Sequence, residues 1–337
     1  AVKHGVPVIT PTGTADKLTV GDKGDEREVR YNVFRACFYD SYQGTYMGQY
    51  AADQGIKKAY VLYNNDEDYS KGLKDAFVET ATANNVEVAT AAYSKNDKQF
   101  DGFWQPILSG EYDCVYVPDY YENVYNILKT GYSKGYTGVC YGGDGWDGVI
   151  KQVKEGEDAS FLENCFYTNH YFGESENAAV KTFVEKYQEK YGTIPVSFAA
   201  LGYDAVYIAK QAIEAAKSVE YDAVVEALTN GTFTGLVTSS EPFSFKNGNP
   251  EKAAVVITFK DGKEVATFSP VVKSQFSSSS DYILVQLSPG KAVLDSAKLA
   301  KVKKNKLPMD KLQIMQIGAE SFFVDSLRKY EVSKVAD

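Results

Sequence analysis

From Lys57 onward, short β-rich runs alternate with amphipathic helical stretches, and this alternation restricts the possible folds more than any other feature of the sequence. KKAYVLYNN gives way to SKGLKDAFVETATANN, then VEVATAAY, then a helix around FDGFWQPILSG, then YDCVYVPDY; ENVYNILKTGYSKG then leads into YTGVCYGGD. Strands that recur at this spacing with helices between them are joined by right-handed crossovers, which build a parallel sheet covered on both faces. The expected class is α/β, doubly wound. Gly55, Gly110, Gly135, Gly192 and Gly231 stand where helices are expected to close through a left-handed residue. A further helix, SFAALGYDAVYIAKQAIEAAKS, is expected to start from Ser197 as N-cap and to align Phe198, Leu201, Ala205, Ile208 and Ala212 along one side. Residues 253–268, AAVVITFKDGKEVATF, form two alternating runs around Asp261 and Gly262, a pair that tolerates the positive φ angles of a hairpin turn.

The pattern stops after the hairpin. SQFSSSSDY reads as a flexible linker, and the charge balance changes sign: residues 271–337 hold 11 Lys and Arg against 7 Asp and Glu, whereas the first 270 hold 25 against 38. Two segments of this tail, KAVLDSAKLAKVKK and AESFFVDSLRKYEVSKV, have the spacing of amphipathic helices, the first with a basic face. With 337 residues, 44% of them hydrophobic, the chain can bury cores for two lobes. Its net charge of -9 repels phosphate backbones and anionic lipid, so nucleic acid is not an expected partner. No run of about 18 apolar residues is present, so the chain is not expected to span a membrane. Its first 30 residues lack the charged start and apolar centre of a signal peptide.

Reactive chemistry is sparse. The sequence contains no G-x-S-x-G elbow, P-loop, H-E-x-x-H or G-x-G-x-x-G after a strand, and its only histidines, His4 and His170, are expected at the surface or at a hinge. Cys37, Cys114, Cys140 and Cys165 each lie in a short apolar run, without the close pairing of metal sites, and are expected as buried thiols. A Cys114–Cys140 bridge would require adjacent strands in matching register. Neither a cofactor nor a metal is implied.

Doubly wound folds bind ligands outside the carboxyl ends of their strands, so the polar residues that follow each strand are the candidates. Tyr69 follows AYVLYNN, Tyr120 follows CVYVP, and Asp144 follows GVCYGG, inside the glycine cluster YGGDGWDG. The glycines let the backbone turn sharply and bring Asp144 to the sheet edge. Two phenols and one carboxylate suit an ammonium group. Near the amino terminus, in PVITPTGTA, Thr12 and Thr14 flank Gly13 in a turn after a strand, where hydroxyls and backbone N–H groups can hold a carboxylate. An anion-binding turn opposite an Asp is what a zwitterionic α-amino acid requires, because a buried zwitterion needs both charges satisfied.

The stretch GVPVITPTGTADKLT, followed by NVFRACFYDSYQGTYMGQYAADQGIKKAYVLYNNDEDYSKGLKDAF, closely resembles type I periplasmic solute-binding proteins of the leucine/isoleucine/valine-binding family. DCVYVPDYYENVYNILK, GYTGVCYGGDGWDG, VSFAALGYDAVYIAKQAIEAA and AVVITFKDGK agree in order and spacing, so the resemblance covers about residues 1–270. It implies a two-lobed type I periplasmic-binding-protein fold that closes on an amino acid and presents it to the permease of an ABC transporter, outside the cytoplasm, in the periplasm or at the cell surface. By motif, Thr12 and Thr14 would meet the ligand's carboxylate and part of its ammonium group. Asp144 would pair with the ammonium, Tyr69 and Tyr120 would close over it, and Phe198 would line the side-chain pocket. Lobe 1 would comprise residues 1–39 and 171–250, and lobe 2 residues 40–170 and 251–270. Residues 271–337 match no part of the family pattern. Family members usually have about four further βα units before the point that corresponds to Ala1, so the resemblance implies an incomplete, truncated first lobe.

Two other classes of function compete with this reading. A ligand-sensing domain of a receptor or regulator would use the same fold, coupled to an effector segment. An enzyme would use Asp144 as general base, but the sequence offers it no positioned nucleophile, metal or cofactor, so an enzyme is not expected.

Overall fold

The computed structural model describes residues 5–21 and 29–266 with their side chains, and Thr267 and five short strands of the tail by backbone alone. It divides into two compact units, residues 1–266 and 267–337.

The first unit opens with β1 (Val8–Thr10), the short α1 (Lys17–Val20) and β2 (Val33–Arg35), which pairs parallel with β1. Then come α2 (Asp40–Asp53), β3 (Lys58–Asn64), α3 (Asp68–Ala83), β4 (Glu87–Tyr93), α4 (Asp101–Ser109), β5 (Cys114–Tyr116), α5 (Tyr121–Ser133), β6 (Val139–Gly142) and β7 (Cys165–Asn169). Helices α6 (Ala178–Tyr191), α7 (Ser197–Ala216) and α8 (Tyr221–Asn230) follow. The antiparallel pair β8 (Phe245–Lys246) and β9 (Asn249–Pro250) leads to the hairpin β10 (Val255–Lys260) and β11 (Lys263–Thr267).

The main sheet has seven strands in the order β11-β10-β7-β6-β5-β3-β4. From β7 to β4 it is parallel, as the alternation predicts. The hairpin makes it mixed, because β10 runs antiparallel to β7. Asp261 and Gly262 carry the turn at φ 51° and 71°, the conformation their residue types allow at low cost.

The apolar residues of these elements segregate into separate clusters. Trp104, Val115, Val117, Leu128, Trp146 and Tyr167 belong to one, against the main sheet. Phe34, Leu201, Ile208, Leu228, Phe233 and Phe245 belong to another, between β2, α7 and α8. A small cluster of Phe38, Tyr42 and Ala254 forms where the start of α2 and the residues just before it meet Ala254, just before β10.

Several expectations are met and several corrected. Gly55, Gly135 and Gly192 adopt positive φ after helices, but Gly110 and Gly231 sit at φ -91° and -77° and close theirs without a left-handed turn. On α7, Leu201, Ile208 and Ala212 are buried as spaced, with Ala205 and Phe198 half-buried. Ser197 is the first residue of α7 rather than its cap, and Val196 precedes the helix in extended conformation. The free helical N–H is taken by a tertiary partner, since the Ser197 amide donates to Asp147 Oδ2. All four cysteines are free and buried. Cys114 lies opposite Ala59 and Val139, and Cys140 opposite Val115 and Cys165, so the register rules out a Cys114–Cys140 bridge.

In the second unit, β12 (Leu287–Ser288) pairs with β13 (Lys291–Ala292), and β14 (Leu312–Ile317), β15 (Glu320–Asp325) and β16 (Ser333–Lys334) form an antiparallel sheet. Over Glu320–Asp325 and Ser333–Lys334 the helix expected for AESFFVDSLRKYEVSKV is thus replaced by strands; residues 326–332 lie outside the described residues. The Phe-Phe-Val run of β15 has strand propensity, and β14 supplies a partner along its whole length. Most of KAVLDSAKLAKVKK lies outside the described residues, as does His4.

Candidate ligand-binding site

β3, β5 and β6 are neighbours in the sheet, so the loops at their carboxyl ends converge. Asp144 opens a short 3₁₀ helix straight after β6, Tyr69 stands in the first turn of α3 after β3, and Tyr120 directly precedes α5 after β5. The three predicted residues meet there. The Tyr69 hydroxyl donates to Asp144 Oδ1 at 2.7 Å and accepts from the Gly145 amide at 2.8 Å, while the Tyr69 and Tyr120 rings stack with centroids 4.8 Å apart. Tyr69 is buried; Tyr120, at 38% exposure, forms the open side of the stack.

Asp144 is only 3% exposed, which by itself would favour the neutral acid. Burial does push its pKa up, but bonds from His170, Tyr69 and Gln43 more than offset this, and the group lies below the ordinary Asp value. Gln43 Nε2 donates to Oδ1 at 3.0 Å, and Gln43 Oε1 accepts from the Asp144 amide at 2.9 Å and from Thr168 Oγ1 at 3.0 Å. His170 Nε2 lies 2.9 Å from Oδ2. Burial holds the His170 pKa below its usual value, against the pull of Asp144, so the ring is neutral and Nε2–H is the donor. A carboxylate presents about four lone-pair directions. Tyr69, Gln43 and His170 occupy three, which leaves one on Oδ2 for a further donor.

His170 is therefore not a surface residue. Its side chain is fully buried and stacks on Phe38 at 3.7 Å between ring centroids. Asp119, also fully buried, organises the neighbouring loop by accepting from the Tyr120 amide at 2.7 Å, from Asn123 Nδ2 at 2.9 Å, from Asn64 Nδ2 at 3.3 Å and from the Tyr93 hydroxyl.

The two threonines of the first turn behave differently. Thr12 is exposed, whereas Thr14 is buried and its hydroxyl bonds the carboxyl of Asp40, the first residue of α2. The turn between them is braced from below. Buried Arg35 donates to the carbonyls of Gly13 at 2.8 Å and Ala15 at 2.9 Å and to Thr19 Oγ1 at 3.1 Å. The Gly13 amide, expected to be free for an anion, is bonded to Thr10 Oγ1 at 3.0 Å.

Asp40 was not foreseen as a site residue. Burial pushes its pKa up to about 8, and the charge of Asp144 adds to this, against the bond from Thr14. Its Oδ1 is buried without a hydrogen-bond partner. Phe198 lies half-buried beside Ser197, which Asp147 ties to the loop that carries Asp144. Among the described residues, no hydrogen bond or ring contact joins Phe198 to Asp144 itself.

Sequence gave Gln43, Asp40, Asp119 and His170 no motif. The one available signal was position, since Asp40 follows β2 and Asp119 follows β5 by the same rule that selected Asp144. The close approach of α2 and α3 brings Gln43 and Tyr69 to the same carboxylate. A Cβ at Gly44 would sit 2.5 Å from the Leu73 carbonyl, and one at Gly48 would sit 2.9 Å from that of Phe77.

The doubly wound α/β sheet thus carries an ionised, internally braced carboxylate at the carboxyl edge of neighbouring strands, where folds of this kind bind ligands. The chain belongs to the periplasmic binding protein family, whose model matches residues 1–264. It is similar to the Leu/Ile/Val-binding protein BraC3 of Rhizobium johnstonii, 29% identical over 246 residues that cover 71% of this chain and 64% of that protein. It also resembles the leucine-, isoleucine-, valine-, threonine- and alanine-binding protein of Pseudomonas aeruginosa, at 24% identity over 72% of this chain and 64% of that one. Among solved structures, a leucine binding protein LivK from Thermotoga maritima superposes with a TM-score of 0.69 at 29% identity, covering 79% of this chain and 73% of that chain. The branched-chain amino acid transporter binding protein LivJ from Streptococcus pneumoniae, solved with isoleucine, does so with a TM-score of 0.68 at 27% identity and the same coverages. The chain thus spans 64% of the length of the curated relatives it matches, and the type I fold is truncated relative to theirs. The family is one of solute-binding proteins rather than an enzyme class, and its name implies an extracytoplasmic location. Among the described residues, no helix is long and apolar enough to cross a membrane.

Proposed function

We propose that this chain is the amino-acid-binding component of an extracytoplasmic ABC importer and that it hands its ligand to the transporter permease. The observation that carries this reading is Asp144, a buried carboxylate kept ionised by Tyr69, Gln43 and His170 with one acceptor position unused. An ammonium group completes that set, and the stacked faces of Tyr69 and Tyr120 cover it. Thr12 at the open rim and the backbone amide of Thr14 take the ligand's carboxylate, since the Thr14 hydroxyl is bonded to Asp40. Phe198 faces an apolar side chain, branched-chain by default because the similar protein BraC3 is a Leu/Ile/Val-binding protein.

Closure requires a hinge. The proposed lobes, residues 1–39 with 171–250 and 40–170 with 251–270, meet at three crossings. Phe38, His170 and Ala254 stand near them; Phe38 stacks on His170 and shares a small cluster with Tyr42 and Ala254. His170 thus sits at a crossing while it holds Asp144, so the hinge and the ammonium site share a residue.

Titration calorimetry against the common amino acids tests this reading. Binding of an apolar amino acid is expected, with no binding of its N-acetyl derivative. Asp144→Asn should weaken affinity by about 2–5 kcal/mol, the cost of losing one partner from a buried charged pair. Equal affinity in the wild type and Asp144→Asn would refute the assignment.

A further inference from the structure

At the edge of the sheet opposite Asp144, β6 and β7 carry a cysteine pair near their starts. Cys140 and Cys165 are direct register partners on adjacent parallel strands, so their side chains leave the same face of the sheet. Strand spacing puts their Cα atoms about 4.8 Å apart, inside the range a disulfide spans. The two thiols are in hydrogen-bonding contact, and the Cys165 thiol also donates to the Phe161 carbonyl at 3.6 Å. Both cysteines line a cleft of about 200 Å³, with aromatic walls from Tyr132, Tyr136 and Phe161 and a polar rim at Asn164. Tyr132, at 41% exposure, stands at the solvent side of this cleft. Cys37 and Cys114 do not line it.

We infer that Cys140 and Cys165 form a thiol–disulfide exchange site, entered through the cleft beneath α5, at which a small disulfide oxidises the pair to an internal bridge. The Cys140 thiolate attacks one sulfur of the small disulfide RSSR, forming a mixed disulfide and expelling RS⁻, which takes up the proton Cys140 lost. The Cys165 thiol then loses its proton and attacks Cys140 Sγ, which closes the Cys140–Cys165 bond and releases a second RSH. Two protein thiols and one RSSR become one protein disulfide and two RSH, with the electrons delivered to RSSR. Burial pushes the Cys165 thiol well above its usual pKa, so the closing step is slow at neutral pH and faster in alkali. In-register parallel strands also hold paired Cβ atoms farther apart than a relaxed disulfide prefers, so the bridge is more easily reduced than a structural one. An extracytoplasmic family places such a pair where oxidants of this class act.

The test is intact-mass and peptide analysis of the full chain after incubation with oxidised glutathione and alkylation under denaturing conditions. Expected is a species lighter by two hydrogens with two alkylated thiols, Cys37 and Cys114, and a cross-linked peptide joining Cys140 to Cys165. The cross-linked peptide should persist in Cys114→Ala, there beside one alkylated thiol, Cys37, and vanish in Cys140→Ser and in Cys165→Ser. Four alkylated thiols, a stable glutathione adduct without closure, or a bridge that includes Cys37 or Cys114 would each overturn the inference. Amino-acid affinity is not the readout, so failure here is distinct from failure of the proposed transport role.

Discussion

Gly142→Ala isolates how tightly the loop that carries Asp144 is packed. Gly142 ends β6 and is buried, and it is not among the residues with positive φ, so its backbone would accept an alanine. The objection is space. A Cβ there would lie 2.0 Å from Trp146 Cε2 and 2.2 Å from Nε1, where ordinary contact begins near 3.4 Å, so the indole must retreat by more than an ångström. Trp146 is fully buried, and its Nε1–H donates to the Val117 carbonyl at 2.7 Å. Overpacking of this kind costs about 1–3 kcal/mol. A buried indole N–H pulled off its acceptor adds about 1–3 kcal/mol. A loss near 3 kcal/mol corresponds to a fall in Tm of about 6–12 °C for a domain of this size. Thermal melts followed by far-UV circular dichroism measure it. Gly102→Ala is the control, because Gly102 lies in α4 with nothing within 4 Å of its would-be Cβ, and its replacement should be neutral or stabilising by about 0.5–1 kcal/mol. A Gly142→Ala midpoint within about 2 °C of wild type would refute the packing argument.

Three further outcomes follow from buried carboxylates. Because the folded pKa of Asp40, about 8, lies above its ordinary value of 3.8, this group's contribution to stability is fully present below about pH 4 and is lost as pH rises through 8. Glu264, pushed up to about 7 by burial, acts in the same direction. Asp40→Asn should therefore flatten part of the decline in urea midpoint between pH 5 and 8, and an unchanged slope would refute the assignment. If the ligand's ammonium also reaches Asp40, binding at pH 7 should release about 0.9 proton, seen as a dependence of calorimetric heat on buffer ionisation that Asp40→Asn removes. Asp204 accepts from the Val237 amide at 2.8 Å, the Thr238 amide at 2.7 Å and the Thr238 hydroxyl at 2.6 Å, and it is the main charge opposing the burial of Lys252. Asp204→Ala should cost about 3–5 kcal/mol in chemical denaturation, and a loss under about 1 kcal/mol would show that those bonds are replaced.

The sequence by itself determined the parallel order of elements and the edge where the candidate site residues converge. Strand and helix periods differ, and the residue after a strand falls at the sheet's carboxyl end whatever the strand order. That rule selected Tyr69, Tyr120 and Asp144, and their convergence required only that β3, β5 and β6 be neighbours. Local turn chemistry likewise determined the hairpin at Asp261 and Gly262.

Only the tertiary structure decided what braces the site. Gln43 lies 101 residues from Asp144 in sequence, and a glutamine inside a helix carries no sign of its partner. His170 reads as a polar surface or hinge residue, and only the fold after β7 buries its ring against Phe38 and Asp144. Ser197 enters α7 instead of capping it, and its free amide is met by Asp147, a carboxylate from a distant loop. The cysteine pair follows the same logic, since each thiol sits in an ordinary apolar strand and only the register of β6 against β7 sets Cys140 beside Cys165 rather than Cys114. Periodicity is a property of neighbours along the chain, whereas hydrogen-bond partners and register are set by which surfaces pack together, and that is settled in three dimensions.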